Sequence, residues 1–73
     1  WVVSGETKIS DFNNYFNTGI RSRSRTVSGF VVDLAGTVPK AGFTFKYLDN
    51  FVFTVLKSDT RHVELLGLRK IGR

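Results

Sequence analysis

A chain of 73 residues, 41% apolar and 23% charged, has the composition of one small globular domain, and at this size a single core rarely supplies more than ~3–5 kcal/mol. The absence of cysteine excludes disulfides, thiolate metal sites, iron–sulfur clusters and cysteine nucleophiles, and a single histidine excludes the usual zinc constellations. A net charge of +5 favours anionic partners, yet Arg21-Ser22-Arg23-Ser24-Arg25 is the one true basic cluster.

Trp1-Val2-Val3 is a short β-branched run ended by Ser4-Gly5, which predicts an edge strand or the start of a strand. Ile9, Phe12 and Phe16 then recur at helical spacing with Tyr15 on the flank, Ser10 as expected N-cap and Asp11 in the first turn. Asn17-Thr18-Gly19 supplies the stop. Residues 20–25 read as a flexible, polar, arginine-studded connection.

Thr26 is positioned to cap a second helix, in which Val27, Phe30, Val31 and Leu34 form an apolar stripe at i, i+3, i+4 and i+7. Gly29 inside that helix costs ~1 kcal/mol relative to alanine, a cost explained if the helix lies close on a sheet. Gly36 fits the left-handed residue after the helix, and Pro39-Lys40-Ala41-Gly42 a tight turn. From Phe43 the period becomes two: Phe43, Phe45 and Tyr47, a hairpin turn at Asp49-Asn50, then Phe51, Phe53 and Val55. This second strand also carries Val52 and Leu56 on its other face, which predicts a central position. Ser58-Asp59-Thr60 turns the chain into a last strand over residues 63–71, with a bulge expected at Gly67. The plan is α+β: a short N-terminal strand and two helices packed on a small, mainly antiparallel sheet with a three-strand C-terminal meander.

Thr26, Gly29, Gly36, Pro39 and Gly42, followed by the phenylalanine-rich hairpin and Phe53-Thr54-Val55-Leu56, make the chain resemble the transporter-associated domain of the CorC/HlyC family. The opening Trp1-Val2-Val3-Ser4-Gly5 and the helix of residues 9–16 belong to the same pattern, so the resemblance covers essentially residues 1–73 as one domain. It implies a C-terminal module of a membrane-linked protein, following a membrane-spanning region and a pair of CBS modules. Such proteins are associated with magnesium and cobalt efflux, and some are described as haemolysins. The domain is then expected on the cytoplasmic side, modulating ion transport rather than conducting ions. The implied partners are the CBS pair and membrane-spanning region of the same parent chain, with a second copy or an anionic membrane surface as further partners. Its fold is also similar to part of the FAD-binding domain of certain flavin oxidoreductases, so adenine-nucleotide or flavin binding is an alternative by fold analogy alone. A chain that begins at Trp1 and contains no methionine is expected to be a processed product or a piece of a longer protein.

Each chemical feature has a structural counterpart. The glycines between Thr26 and Gly42 lack the Gly-x-x-x-x-Gly-Lys-Ser/Thr pattern of a phosphate loop and read as cap and turn residues. The aromatic strands lack the signature of RNA-recognition sheets and offer the face that buries Ile9, Phe12, Phe30, Val31 and Leu34. One imidazole, His62, beside Asp59 and Glu64 makes a poor metal site. With no nucleophile elbow, second histidine or recognisable carboxylate pair, no catalytic residue, cofactor or metal ligand is expected. The candidate contacts are Arg21, Arg23 and Arg25 for an anionic partner, and Lys46, Thr54 and Arg61 for protein. Nucleic acid is disfavoured as that partner, since only the charge and the arginine cluster speak for it.

Overall fold

The computed structural model describes residues 1–47 and 50–71. Its elements are β1 (Val2–Ser4), α1 (Ile9–Phe16), α2 (Val27–Ala35), β2 (Thr44–Tyr47), β3 (Phe51–Ser58) and β4 (Val63–Lys70). The strands form one antiparallel sheet in the order β1-β4-β3-β2. The C-terminal meander and the edge position of the first strand are therefore as expected, and β3 is central. The Asp49-Asn50 turn lies outside the described residues at Asp49.

Both helices cover one sheet face. Phe53 and Val55 from β3 and Val63, Leu66 and Leu68 from β4 point into that side with Val27, Phe30 and Val31 of α2 and Ile9 and Phe12 of α1. Phe53 lies at the centre: its ring stacks on Phe45 at 5.0 Å and faces Phe12 at 6.2 Å and Phe30 at 6.3 Å. Burying aromatic rings this way contributes more than their area alone, because offset and edge contacts are favourable. The aromatic hairpin is thus largely core: Phe51 and Phe53 are buried, Phe45 and Tyr47 pack against the cluster, and Phe43 is left exposed.

The helix ends show how local chemistry sets the frame. Thr26 caps α2 as expected, its hydroxyl accepting from the Gly29 amide at 3.2 Å. The other free donors of that first turn go to β1's exit, Val27 N–H to the Thr7 carbonyl at 2.9 Å and Ser28 N–H to the Gly5 carbonyl at 2.8 Å. Ser28, buried, also accepts from the Val63 amide at 2.9 Å and so ties α2 to β4. Gly5 is required there, since a β-carbon would collide with the Val63 carbonyl. Asn17 (φ 55°) and Gly36 (φ 82°) end the two helices in left-handed conformation.

Several expectations need correction. Ser10 is not the cap of α1. The helix starts earlier, at Ile9 after Lys8 and without a side-chain cap: the Phe12 amide that a Ser10 hydroxyl would accept from already donates to the Lys8 carbonyl at 2.9 Å, and the Ile9 amide donates to the Arg25 carbonyl at 2.8 Å. Leu34 is 48% exposed rather than core, since α2 meets the sheet through its first two turns. Gly29 does not relieve a helix–sheet contact; a β-carbon there would meet Ser24, so the glycine admits the α1–α2 connection. Gly67 is not the bulge. It pairs regularly with Val2 and Thr54, and the register shifts lie between Val55 and Lys57 and between Lys57 and Ser58 on β3. Gly67 instead leaves room for the Leu56 side chain, 3.3 Å from where its β-carbon would stand. The tight turn runs from Lys40 to Phe43, closed by the Phe43 amide on the Lys40 carbonyl at 3.1 Å, with Gly42 at φ 98°.

Candidate docking surfaces

Two surfaces carry the candidate residues, and they are built differently. The first is the α1–α2 connection. It is tethered from within. The Asn13 side chain accepts from the Ile20 amide at 2.9 Å and donates to the Ile20 carbonyl at 3.0 Å, while Ile20 itself is buried in the core. Thr18 donates its hydroxyl to the same Asn13 oxygen at 2.8 Å. Further on, the Ser24 amide donates to the Ser22 hydroxyl at 3.1 Å, and the Ser24 hydroxyl to the Asp33 carboxylate at 3.0 Å. Serines 22 and 24 are half-buried while Arg21, Arg23 and Arg25 are exposed, so the Arg-Ser alternation is an outside–inside alternation.

The structure adds Lys8 to this cluster. A bridge between Lys8 and Thr26 and the bond from Ile9 to Arg25 place Lys8 beside the end of the connection, and its side chain is exposed. Nothing in the sequence signals that meeting, which depends on how the β1–α1 segment packs against the start of α2. Arg21 and Arg23 also line a shallow hollow with Asp33, Leu34 and Tyr47. Among the described residues none of the three arginines has a carboxylate within salt-bridge distance.

The second surface is the outer face of the sheet. Val2, Thr44, Lys46, Val52, Thr54, Leu65 and Gly67 alternate with the buried positions, and among the described residues no helix lies over them. Thr44 and Thr54 stand opposite each other, their hydroxyls 3.4 Å apart, and Lys46 is paired across from Val52. The structure therefore brings Lys46 and Thr54 onto one face. Arg61 does not join them: it sits in the β3–β4 turn, where its amide donates to the Asp59 carboxylate at 2.8 Å.

That turn absorbs the one histidine. The same Asp59 oxygen accepts from the His62 amide at 2.9 Å and lies 3.3 Å from the His62 ring nitrogen. The Arg61 and His62 amides hold the Asp59 carboxyl below its ordinary value. Glu64 faces Lys57 instead, at 3.8 Å. Among the described residues no three of histidine, aspartate and glutamate come together as a metal site. The start of α2 offers no phosphate cradle either, because its first-turn amides already have protein partners. No helix among the described residues is long and apolar enough to cross a membrane.

Comparison with known proteins bears on what such surfaces serve. The transporter associated domain model of the CorC_HlyC family matches residues 1–72. Among solved structures, a region associated with a proposed Mg2+ and Co2+ transporter (CorC) from Neisseria meningitidis is 28% identical, with a TM-score of 0.89 over 97% of this chain and 88% of that one. A hemolysin domain from Enterococcus faecalis is 24% identical, with a TM-score of 0.85 over 97% and 87%. The transporter associated domain of a CBS domain protein from Porphyromonas gingivalis is 22% identical, with a TM-score of 0.78 over 97% and 87%. These last two likenesses show the shared fold. Among curated proteins, none matches the chain.

Proposed function

The chain belongs to the transporter-associated (CorC_HlyC) domain family, and on that premise we propose that it is a non-catalytic accessory domain of a membrane-associated magnesium or cobalt transport protein. It works by docking, on the cytoplasmic side, against the CBS pair of a longer parent chain. The observation that carries this reading is the contrast between the two sheet faces. The inner face is closed by both helices, whereas the outer face, which also carries Lys46 and Thr54, keeps Val2 66% and Leu65 38% exposed. Apolar side chains gathered on an uncovered face gain most by meeting another surface. Docking biases transport if the contacts differ between the transporter's states, and the domain then shifts the balance between them without touching the ion.

Efflux of Mg2+ and Co2+ from cells carrying the parent protein tests this, with residues 1–73 present or deleted. The expected result is efflux that persists with an altered dependence on internal ion concentration. Efflux identical in both forms contradicts an accessory role, and a transporter whose ion selectivity follows this domain contradicts a non-conducting one.

A further inference from the structure

We propose that the α1–α2 connection is a membrane-contact patch for an acidic lipid surface, with Arg21, Arg23, Arg25 and Lys8 meeting the headgroups and Leu34 entering the interface. The inference rests on the membrane association of the parent protein proposed above. Its own support is the structure of the connection.

Membrane-surface binding by a folded domain needs basic side chains and an apolar group at the same place. The three arginines are exposed, and among the described residues none is neutralised by an acidic side chain. Asp33, the acid in the hollow, is engaged by the Ser24 hydroxyl at 3.0 Å rather than by an arginine. Leu34 supplies the apolar element: the periodicity of α2 assigns it to the core, yet it is 48% exposed and lines the same hollow as Arg21 and Arg23. The tethers through Asn13, Ser22 and Ser24 fix the backbone beneath these side chains, so little ordering is required on contact. A nucleic acid fits less well, because single strands are held by exposed stacking rings. The rings of this hollow, Phe30 and Tyr47, are engaged with each other edge-on at 5.0 Å, and Phe30 is buried.

The test is co-sedimentation of the 73-residue chain with phosphatidylcholine vesicles containing or lacking phosphatidylserine. Binding should require phosphatidylserine and weaken as salt rises from about 0.1 M to 1 M, where the screening length contracts from ~10 Å to ~3 Å. Each of Arg21→Gln, Arg23→Gln and Arg25→Gln should weaken partitioning about fivefold, and the triple variant about a hundredfold. Leu34→Ser should cost about fivefold, a loss that persists at high salt because it is apolar in origin. A triple variant with equal charge loss at residues that do not line the hollow, Lys40→Gln/Lys57→Gln/Arg69→Gln, controls for net charge and should bind within about threefold of the parent sequence, since the bilayer attracts chiefly the basic residues seated at its surface. Circular dichroism checks that each variant is folded.

Equal loss in the arginine and control variants overturns the proposal, as does equal binding to neutral vesicles. Preferential capture of a labelled RNA oligonucleotide over acidic vesicles at the same salt assigns the patch to nucleic acid and overturns it too. Any of these results leaves the efflux experiment untouched, so the failure of the lipid patch and the failure of the accessory role are separately visible.

Discussion

The two faces of one sheet are made from the same strands and end differently. On the inner face Phe53, Val55, Val63 and Leu66 have no exposed surface, while one residue away along the chain Val52 and Thr54 are half-buried and Leu65 is exposed. Strand β3 carries apolar residues on both sides, and that pattern correctly marks it as central in strand order. It does not follow that both faces are covered. Among the described residues the two short helices cover one face, and the other remains available. Apolar content in a strand therefore reports its neighbours within the sheet more surely than the layers above it.

Substitutions on either face sharpen that contrast. Phe53→Ala should destabilise the domain by about 3–5 kcal/mol, enough to unfold a core of this size, as read by urea denaturation. Ser28→Ala leaves the buried Val63 amide without its acceptor and should cost about 1–3 kcal/mol in the same assay. Thr26→Ala, which removes the cap from the Gly29 amide, should cost about 1 kcal/mol. On the outer face, Val2→Thr keeps the β-branched shape and should change stability by no more than about 0.5 kcal/mol. A loss there comparable with that of Phe53→Ala would break the distinction between the faces.

The smallest effect expected is on acid stability. Asp59 is more acidic in the fold than its ordinary value of 3.8, because the Arg61 and His62 amides stabilise its charged form. The stability it lends is present above that pH and drains away as the pH falls through the folded-state value. Asp59→Asn should flatten this acid limb of a pH-dependent denaturation series and leave the profile near neutrality unchanged in slope. An unaltered acid limb would show that the turn bonds form equally in the unfolded chain.

Much of this architecture is written locally. The changes of period at Phe43 and at the two helices, the Thr26 cap and the Gly36 stop are signals carried within a few residues, and the structure keeps each of them. What depends on tertiary meeting is less legible. Ser10 has the right chemistry for a cap, but the helix has already begun at Ile9 and the Phe12 amide is held by the Lys8 carbonyl. The slip expected at Gly67 is absent there, since Leu66, Gly67 and Leu68 pair one-to-one with Val55, Thr54 and Phe53; the irregularity lies upstream, where Leu65 and Val63 meet Lys57 and Ser58 of β3. Leu34 keeps helical phase with Val27 and Phe30 and still misses the sheet, since the stripe extends beyond the part of α2 that packs. The arginine cluster is plain in the sequence, whereas its tethering by Asn13 and Ser24 and its approach to Lys8 are not. Those contacts join residues from three separate segments.

The claim that this domain acts through its surfaces rather than through a small ligand is tested most directly by an amide-shift titration of the chain with ATP, repeated at raised salt. The Val27, Ser28 and Gly29 amides already have protein acceptors. Shifts should accordingly be weak, confined to Arg21, Arg23, Arg25 and their neighbours, and abolished by salt. Saturable, salt-resistant shifts centred on residues 26–30 would contradict the account and make the start of α2 a nucleotide-sensing site.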